Sequence, residues 1–270
     1  MPRSFPVVSV GFLVMIFLCC FLGGSIYPSS PFALDATSIL ESPSFSHWMG
    51  TDRLGRDVLA RVLEGGRISL VIGLGSALLA SLSGLIIGVS AGFFAKGVDR
   101  MIIILIDLFL TFPTFFLLLA LVSYVNASVL VLIIVIFITG WMGMARMIRS
   151  ESFAIANKPF IKVLRLAEVP SLKIIFKYFT PLLAPIFFIS FTFGVSGAIL
   201  AESGLSFLGI GITPPQMSWG TILAEGKEVI DVAWWLSFFP GLMIFGVTFS
   251  LINLSDYLQS MTNQKDVLGV

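Results

Sequence analysis

The chain has 270 residues, 57% of them hydrophobic and 11% charged, with a net charge of +1 and a mean hydropathy of +1.03. Soluble domains carry about 25% charged residues, so the composition excludes an ordinary water-soluble globule and leaves a polytopic membrane protein. The charge balance identifies no partner, and the adjacent Cys19 and Cys20 point in different directions from one helix and cannot staple a fold.

Apolar runs of about 18 residues or more read as membrane spans. Six occur, at about 7–26, 69–94, 101–124, 127–147, 181–201 and 233–254. The first follows Arg3, but it is long for a signal core and no Ala-x-Ala site follows, so an uncleaved span is expected. The expected division is a first helix with an outer segment over 1–67, a five-helix core over 68–258, and a tail over 259–270. The core includes a loop at 149–180.

Ahead of span two, in a segment that also holds Gly50 and Gly55, Asp52, Arg53, Arg56, Asp57 and Arg61 place charges of alternating sign at near-helical spacing. That pattern predicts a solvated helix at the membrane surface. In span two, Ser76, Ala80, Gly84, Gly88 and Gly92 recur every four residues, a stripe that lets helices approach closely. Gly88-Val-Ser90-Ala-Gly92 formally matches a nucleophile elbow, but it lies mid-helix and His47 is the only histidine, so helix packing is the better reading. Asp107 lies inside span three, where a carboxylate is costly and faces protein or water; Arg146 or Arg149 could pair with it. Pro113 predicts a kink in the same span.

Between spans four and five, Asn157 reads as a cap and Pro159 as a first-turn residue. Phe160, Val163, Leu164 and Ala167 then share one face, with Lys162 and Arg165 on another and Glu168 a turn beyond Arg165. Pro170 ends that helix. Ser171 is expected to cap a second short one bearing Leu172, Ile175, Phe176 and Phe179, and Pro181 to open span five. Such a pair suits either an anionic lipid surface or a cytoplasmic partner's groove, and local pattern does not separate the two.

Ser190, Gly194, Ala198 and Glu202 put the carboxylate on the small-residue face of span five, as a partner for an outer Arg or as part of a gate. Gly209, Gly211, Pro214 and Pro215 then end the helix and hold a tight re-entry before Trp219 and Gly220. Ser206, Ser218 and Trp219 suit a boundary of headgroups and water. If both termini lie in the cytoplasm, that side holds eleven Lys and Arg against five outside, seven of the eleven between Arg146 and Lys177. This favours N-inside and C-inside. No P-loop, His-Glu-x-x-His, or Cys/His ligand cluster is present. Any uphill transport would therefore draw its energy from another subunit.

Three stretches carry a resemblance. His47-Trp-Met-Gly-Thr-Asp52 continuing through Arg53-Leu-Gly-Arg-Asp-Val-Leu-Ala-Arg61, then Gly66-Arg-Ile-Ser-Leu70, then Ala201-Glu-Ser-Gly-Leu-Ser-Phe-Leu-Gly-Ile-Gly211 with Pro214, Pro215 and Ser218-Trp-Gly220, resemble permease subunits of peptide and nickel ABC importers. The resemblance implies an all-α bundle of six transmembrane helices of the type I importer kind. It implies a multi-pass protein of a bacterial cytoplasmic (inner) membrane, without enzymatic activity or a bound cofactor. The partners it implies are a second permease subunit, two ATP-hydrolysing subunits and an extracytoplasmic substrate-binding protein, with membrane lipid around the bundle and no nucleic acid. Di- or oligopeptides are the implied cargo, with nickel or another small solute the alternative. A self-sufficient channel or proton-linked carrier using Asp107 and Glu202 is the rival from another class; an intramembrane enzyme is remote.

By the same resemblance, 149–180 is an ATPase-coupling loop involving Phe160, Lys162, Val163, Leu164, Arg165, Glu168, Pro170 and Pro181. The 201–220 connection closes the outer mouth, and Gly50–Arg61 lies beside it. The family's coupling pattern is Glu-Ala-Ala-x3-Gly-x9-Ile-x-Leu-Pro. Anchored at Pro181, it puts Lys162, Val163 and Leu164 for Glu-Ala-Ala, Glu168 for Gly, Tyr178 for Ile and Thr180 for Leu, with Pro181 alone identical.

Overall fold

The computed structural model describes residues 4–94 and 97–268. Arg3, Lys96 and the chain's last two residues lie outside the described residues, as does the side chain of Lys265. Ten helices follow in order: α1 Val7–Ile26, α2 Val58–Phe94, α3 Gly97–Leu110, α4 Thr114–Ser123, α5 Val129–Ala156, α6 Pro159–Leu166, α7 Ser171–Ile174, α8 Thr180–Phe207, α9 Trp219–Lys227 and α10 Trp235–Leu268. A π-helical turn, Ile175–Phe179, joins α7 to α8. Among the described residues the only β pairing is an isolated bridge, Thr51 to Asp57.

Five helical runs are long and apolar enough to cross a membrane. The pair α3 and α4 is long and apolar enough only when taken together, and it is bent by 77° at the break between them. The break has a local cause: Pro113 precedes α4 and cannot continue α3. The N–H of Thr111 at 3.0 Å and its hydroxyl at 2.8 Å both bond the Asp107 carbonyl instead. The kink expected at Pro113 is thus a full break.

Three element boundaries differ from expectation. First, α2 starts at Val58, well before residue 69, so the charged pre-helix segment feeds directly into a long helix. Second, Asn157 caps the end of α5, donating to the Phe153 carbonyl at 2.9 Å, while Lys158 and Pro170 occupy the N-cap positions of α6 and α7. Third, Pro181 does lie in the first turn of α8, but the backbone ahead of it is already helical, running from Ser171 to Phe207. The wide π turn accommodates it: Thr180 bonds the Ile175 carbonyl through both its N–H and its hydroxyl, the latter at 3.0 Å. At the other terminus, α10 crosses residue 258 unbroken, so helix continues into the tail.

The bundle is organised around the face where α2 meets α5. Ser76, Ala80, Gly84, Gly88 and Gly92 are all buried. A β-carbon at Gly84 would lie 2.8 Å from Met144 Cβ, and one at Gly88 would lie 2.9 Å from both the Ala145 carbonyl oxygen and the Arg149 nitrogen. Lipid tails are as apolar as leucine, so membrane helices associate through such close packing rather than through the hydrophobic effect. Around this pair, Val62, Trp219 and Leu236 centre an apolar cluster at one end. Ile72, Leu132 and Leu205 centre one in the middle. Phe93, Ile148, Ile161 and Phe179 centre one at the end that carries α6. Helix α1 is different: Val14, Phe17, Phe21 and Leu22 stay exposed on the chain, an apolar wall toward lipid.

Gly88→Val tests this packing. The added side chain meets backbone, which cannot step aside, and overpacking of that kind costs about 1–3 kcal/mol or more. Denaturant unfolding in mild detergent should show the loss, whereas Gly11→Ala, with nothing within 4 Å of an added β-carbon, should leave stability unchanged or slightly raised.

Candidate functional site

At the bundle end opposite α6, the 50–61 segment is not helical before Val58, and apart from Arg53 its charges are buried or half-buried. Asp52, Asp57 and Arg61 are 1%, 5% and 1% exposed. The carboxylate of Asp52 accepts from the N–H groups of Leu54 (2.8 Å) and Arg56 (2.9 Å) and from Arg56 Nε (2.6 Å), and it pairs with Arg61. Those backbone bonds wrap the chain into turns, and Gly50 (φ 75°) and Gly55 (φ 72°) occupy the left-handed region such turns need. Arg61 then reaches Glu225 of α9 with both terminal nitrogens, at 2.6 and 2.8 Å. Arg53 reaches Glu228 at 2.7 Å. Nothing at the sequence level assigned Glu225 and Glu228 a part, and no local pattern pairs residues so far apart in the chain.

Asp57 is the second anchor. One oxygen caps α2 through the Ala60 N–H at 2.9 Å; the other meets Tyr27 OH at 3.0 Å and His47 Nδ1 at 2.9 Å. Burial pushes the Tyr27 phenol above its usual range. Nearby, donation from the Thr37 and Ser38 hydroxyls holds the Asp35 carboxyl down at about 2.

Glu202 is fully buried at 0% exposure and has no arginine beside it. Its oxygens accept from Ser69 of α2 (3.0 Å) and Ser206 of α8 (2.7 Å), and Ser69 accepts the Trp219 N–H at 3.2 Å. The pairing with an outer Arg is therefore corrected: hydroxyls from two helices satisfy the carboxylate, and the arginines turn to Asp52 and Glu225. The boundary reading of Ser206, Ser218 and Trp219 is corrected as well, since they are 2%, 0% and 0% exposed. Trp219 drives its indole into the bundle and donates to the Val62 carbonyl at 2.9 Å, and Ser218 closes a capping box with Thr221. Gly209 turns at φ 80° just past α8. Gly211 lies against Ser206, and a β-carbon at Gly220 would stand 2.6 Å from Ser203 Cα. Pro214 and Pro215, joined by a cis bond, are exposed.

Between α2, α4, α5 and α8 lies a cavity of about 260 Å³, lined among others by Ala77, Ala80, Thr114, Thr139, Gly140 and Gly194. No charged side chain lines it. Toward the α6 end, Asp107 pairs with Arg146, and Arg149 with Asp99 at 2.9 Å between Nη2 and Oδ2. Both members of the Asp107–Arg146 pair are more than half exposed on the chain. Among the described residues no group of three His, Cys, Asp or Glu side chains could hold a metal.

Helix α6 is held from beneath by Ile161, wholly buried against Ile155 and Ile174 and unflagged by the sequence pattern. Arg165 reaches across to the Phe93 carbonyl at 2.9 Å, its guanidinium 4.4 Å from the Phe93 ring. Leu164 is half-buried. Phe160, Val163, Leu166, Leu172 and Phe176 are left exposed at 41%, 62%, 84%, 67% and 72%. The helix ends in a Schellman turn, with the Val169 N–H bonding the Leu164 carbonyl at 3.1 Å and Glu168 at φ 56°. Glu168 thus takes the left-handed conformation that favours glycine, at the position where the resembled pattern has glycine. Pro170 follows immediately.

Two substitutions read these arrangements. Asp52→Ala strips Arg61 of a buried partner and orphans two backbone donors, which should cost about 3–5 kcal/mol in the same unfolding assay. Glu168→Gly should do the reverse, relieving about 1–2 kcal/mol of left-handed strain and slowing amide exchange across 164–170.

Residues 84–264 match the family described as binding-protein-dependent transport system inner membrane component. The oligopeptide transport system permease protein OppC of Mycobacterium tuberculosis is 34% identical over 236 residues, 87% of this chain and 81% of that one. The di/tripeptide transport system permease protein DppC of Pseudomonas aeruginosa is 31% identical over 261 residues, 94% and 86% of the two chains. In fold, the chain resembles a subunit of the inward-facing MetNI methionine ABC transporter, at a TM-score of 0.59 and 15% identity, over 74% of this chain and 97% of that one. With the family matched over most of the chain and relatives aligned nearly end to end, this protein belongs to the binding-protein-dependent transport system inner membrane components.

Proposed function

We propose that the chain is one of two permease subunits forming the path of an ATP-driven importer of di- or oligopeptides, with both termini in the cytoplasm. The observation that carries this reading is the exposed stripe of Phe160, Val163, Leu166, Leu172 and Phe176 on rigidly seated helices. Contiguous apolar surface of this kind marks an interaction site. Ile161 and Arg165 hold α6 to the bundle, so a push on the stripe is transmitted to α2, α5 and α8 rather than absorbed. The occupant is a groove on one of two ATPase subunits, which hydrolyse ATP while this chain binds no cofactor and performs no covalent chemistry.

The substrate class follows from the relatives' names and from the cavity. A passage lined by small and apolar side chains imposes no charge requirement, which suits peptides of varied sequence. A nickel cargo finds no ligand set among the described residues. The proton-carrier alternative fares poorly, because Asp107 is paired with Arg146 and Glu202 is enclosed by serines. The stitched layer of Glu202, Trp219, Gly220, Asp52 and Arg61 forms the outer closure, and the 209–215 turn with the Arg53 and Glu228 surface faces the substrate-binding protein. Alternating access then arises from differential contacts in two bundle states.

The test is affinity purification of the tagged chain from mild detergent, with mass spectrometry of what accompanies it. A second six-span permease and P-loop ATPases should co-purify. The ATPases should be lost with Val163→Glu or Leu166→Glu, both at exposed positions, while thermal stability stays near wild type. A well-folded chain that brings down no ATPase would contradict the proposal.

A further inference from the structure

We infer that the turn Pro43–Trp48 is a lipid anchor, seating Phe45 and Trp48 in the headgroup region of the leaflet beside the C-terminal end of α1. The turn is ordered by its own hydrogen bonds: Ser44 N–H to the His47 carbonyl at 2.8 Å, His47 N–H to Ser44 Oγ at 3.2 Å, and Gly50 N–H to the His47 carbonyl at 2.9 Å. Behind it, Thr51 accepts the Glu41 N–H at 2.8 Å and donates to the Ser38 carbonyl. On this rigid base Phe45 is 103% exposed and Trp48 66%. The two rings, with Pro43 and Ser44, line an open cleft of about 490 Å³. An aromatic side chain held wholly outside by an ordered turn forgoes the free energy of its burial, unless something outside the chain covers it.

Three observations select lipid as the cover. The level is right: the 20 residues of α1 rise about 30 Å, the thickness of the hydrocarbon layer, so Tyr27 marks its boundary. The Trp48 ring lies 6.4 Å from that of Tyr27, the position where tryptophan and tyrosine gather in membrane proteins. The surface is continuous: Phe21, Leu22 and Ile26 of α1 are exposed on the way to the turn. The charge is right: between Ser42 and Met49 the only titratable side chain is His47, and its imidazole is turned inward to Asp57. Exposed Glu41 lies just before the turn, at its edge, while Arg53, Glu225 and Glu228 pair on the side formed with α9. The inference depends only on α1 crossing the membrane and holds whichever way the termini face.

The experiment uses the full chain in proteoliposomes, with Cys19→Ala, Cys20→Ala and Ser46→Cys carrying an environment-sensitive fluorophore. Lipids spin-labelled at the headgroup should quench the probe more than lipids labelled deep in the acyl chain, and aqueous iodide should quench it little. Adding Phe45→Ser and Trp48→Ser should abolish the lipid quenching and expose the probe to iodide. These exposed positions leave the fold intact, which retention of the size-exclusion peak checks. A probe open to iodide with the aromatics in place would overturn the inference. So would lipid quenching that survives their removal, or shielding that appears only when an external binding protein is added, which would make the turn a protein-docking element.

Discussion

Backbone meets backbone where α2 crosses α5, and the remaining helices take their places from that contact. Gly84, Gly88 and Gly92 bring α2 to within van der Waals distance of Met144, Ala145 and Ser152, in a medium that supplies no hydrophobic force between helices. The price of the three glycines is that they contribute no side chains of their own. The apolar clusters at either end come from their neighbours, Trp219 and Leu236 on one side and Ile161 and Phe179 on the other. Helix α4, which departs from α3 at 77°, lines the cavity of small residues together with α2, α5 and α8.

The two ends of the bundle are built on opposite principles. The end bearing residues 27–57 and α9 is stitched by buried charge. Asp52, Arg61 and Glu225 tie the pre-helix turns to α9, and Glu202, Ser69 and Trp219 tie α8, α2 and α9 together. Each buried charge there is met by partners from a different segment, which fixes relative positions as apolar contact alone does not. The α6 end is seated by one buried isoleucine and one arginine, turns on a left-handed glutamate, and presents its apolar side chains outward.

The legible parts of the sequence were those governed by a single local rule. Apolar length located the spans, four-residue spacing located the α2 stripe and the buried face of Glu202, and charge cost pointed Asp107 to Arg146 or Arg149. The misread parts were decided by competition between rules. The 50–57 charges had helical spacing, but Asp52 found backbone N–H groups to bind and made turns instead. Ser206, Ser218 and Trp219 looked like boundary residues because composition does not say that a buried Glu202 recruits hydroxyls and that a capping box carries Trp219 inward. Pro181 signalled a helix start, and a π turn removed the conflict. Glu168 hid a glycine-like turn behind a side chain that rarely adopts it, which is why the coupling pattern looked more eroded than the backbone is.

The account's central claim is that this bundle moves its cargo only when other subunits drive it from the α6 end. The direct measurement is uptake of a labelled dipeptide into proteoliposomes holding the purified chain either alone or with its sister permease, ATPases and binding protein. The account predicts uptake by the complete assembly that requires enclosed ATP, and none by the chain alone. ATP-independent uptake by the chain alone, or uptake in the full assembly that a proton gradient drives without ATP, would contradict it.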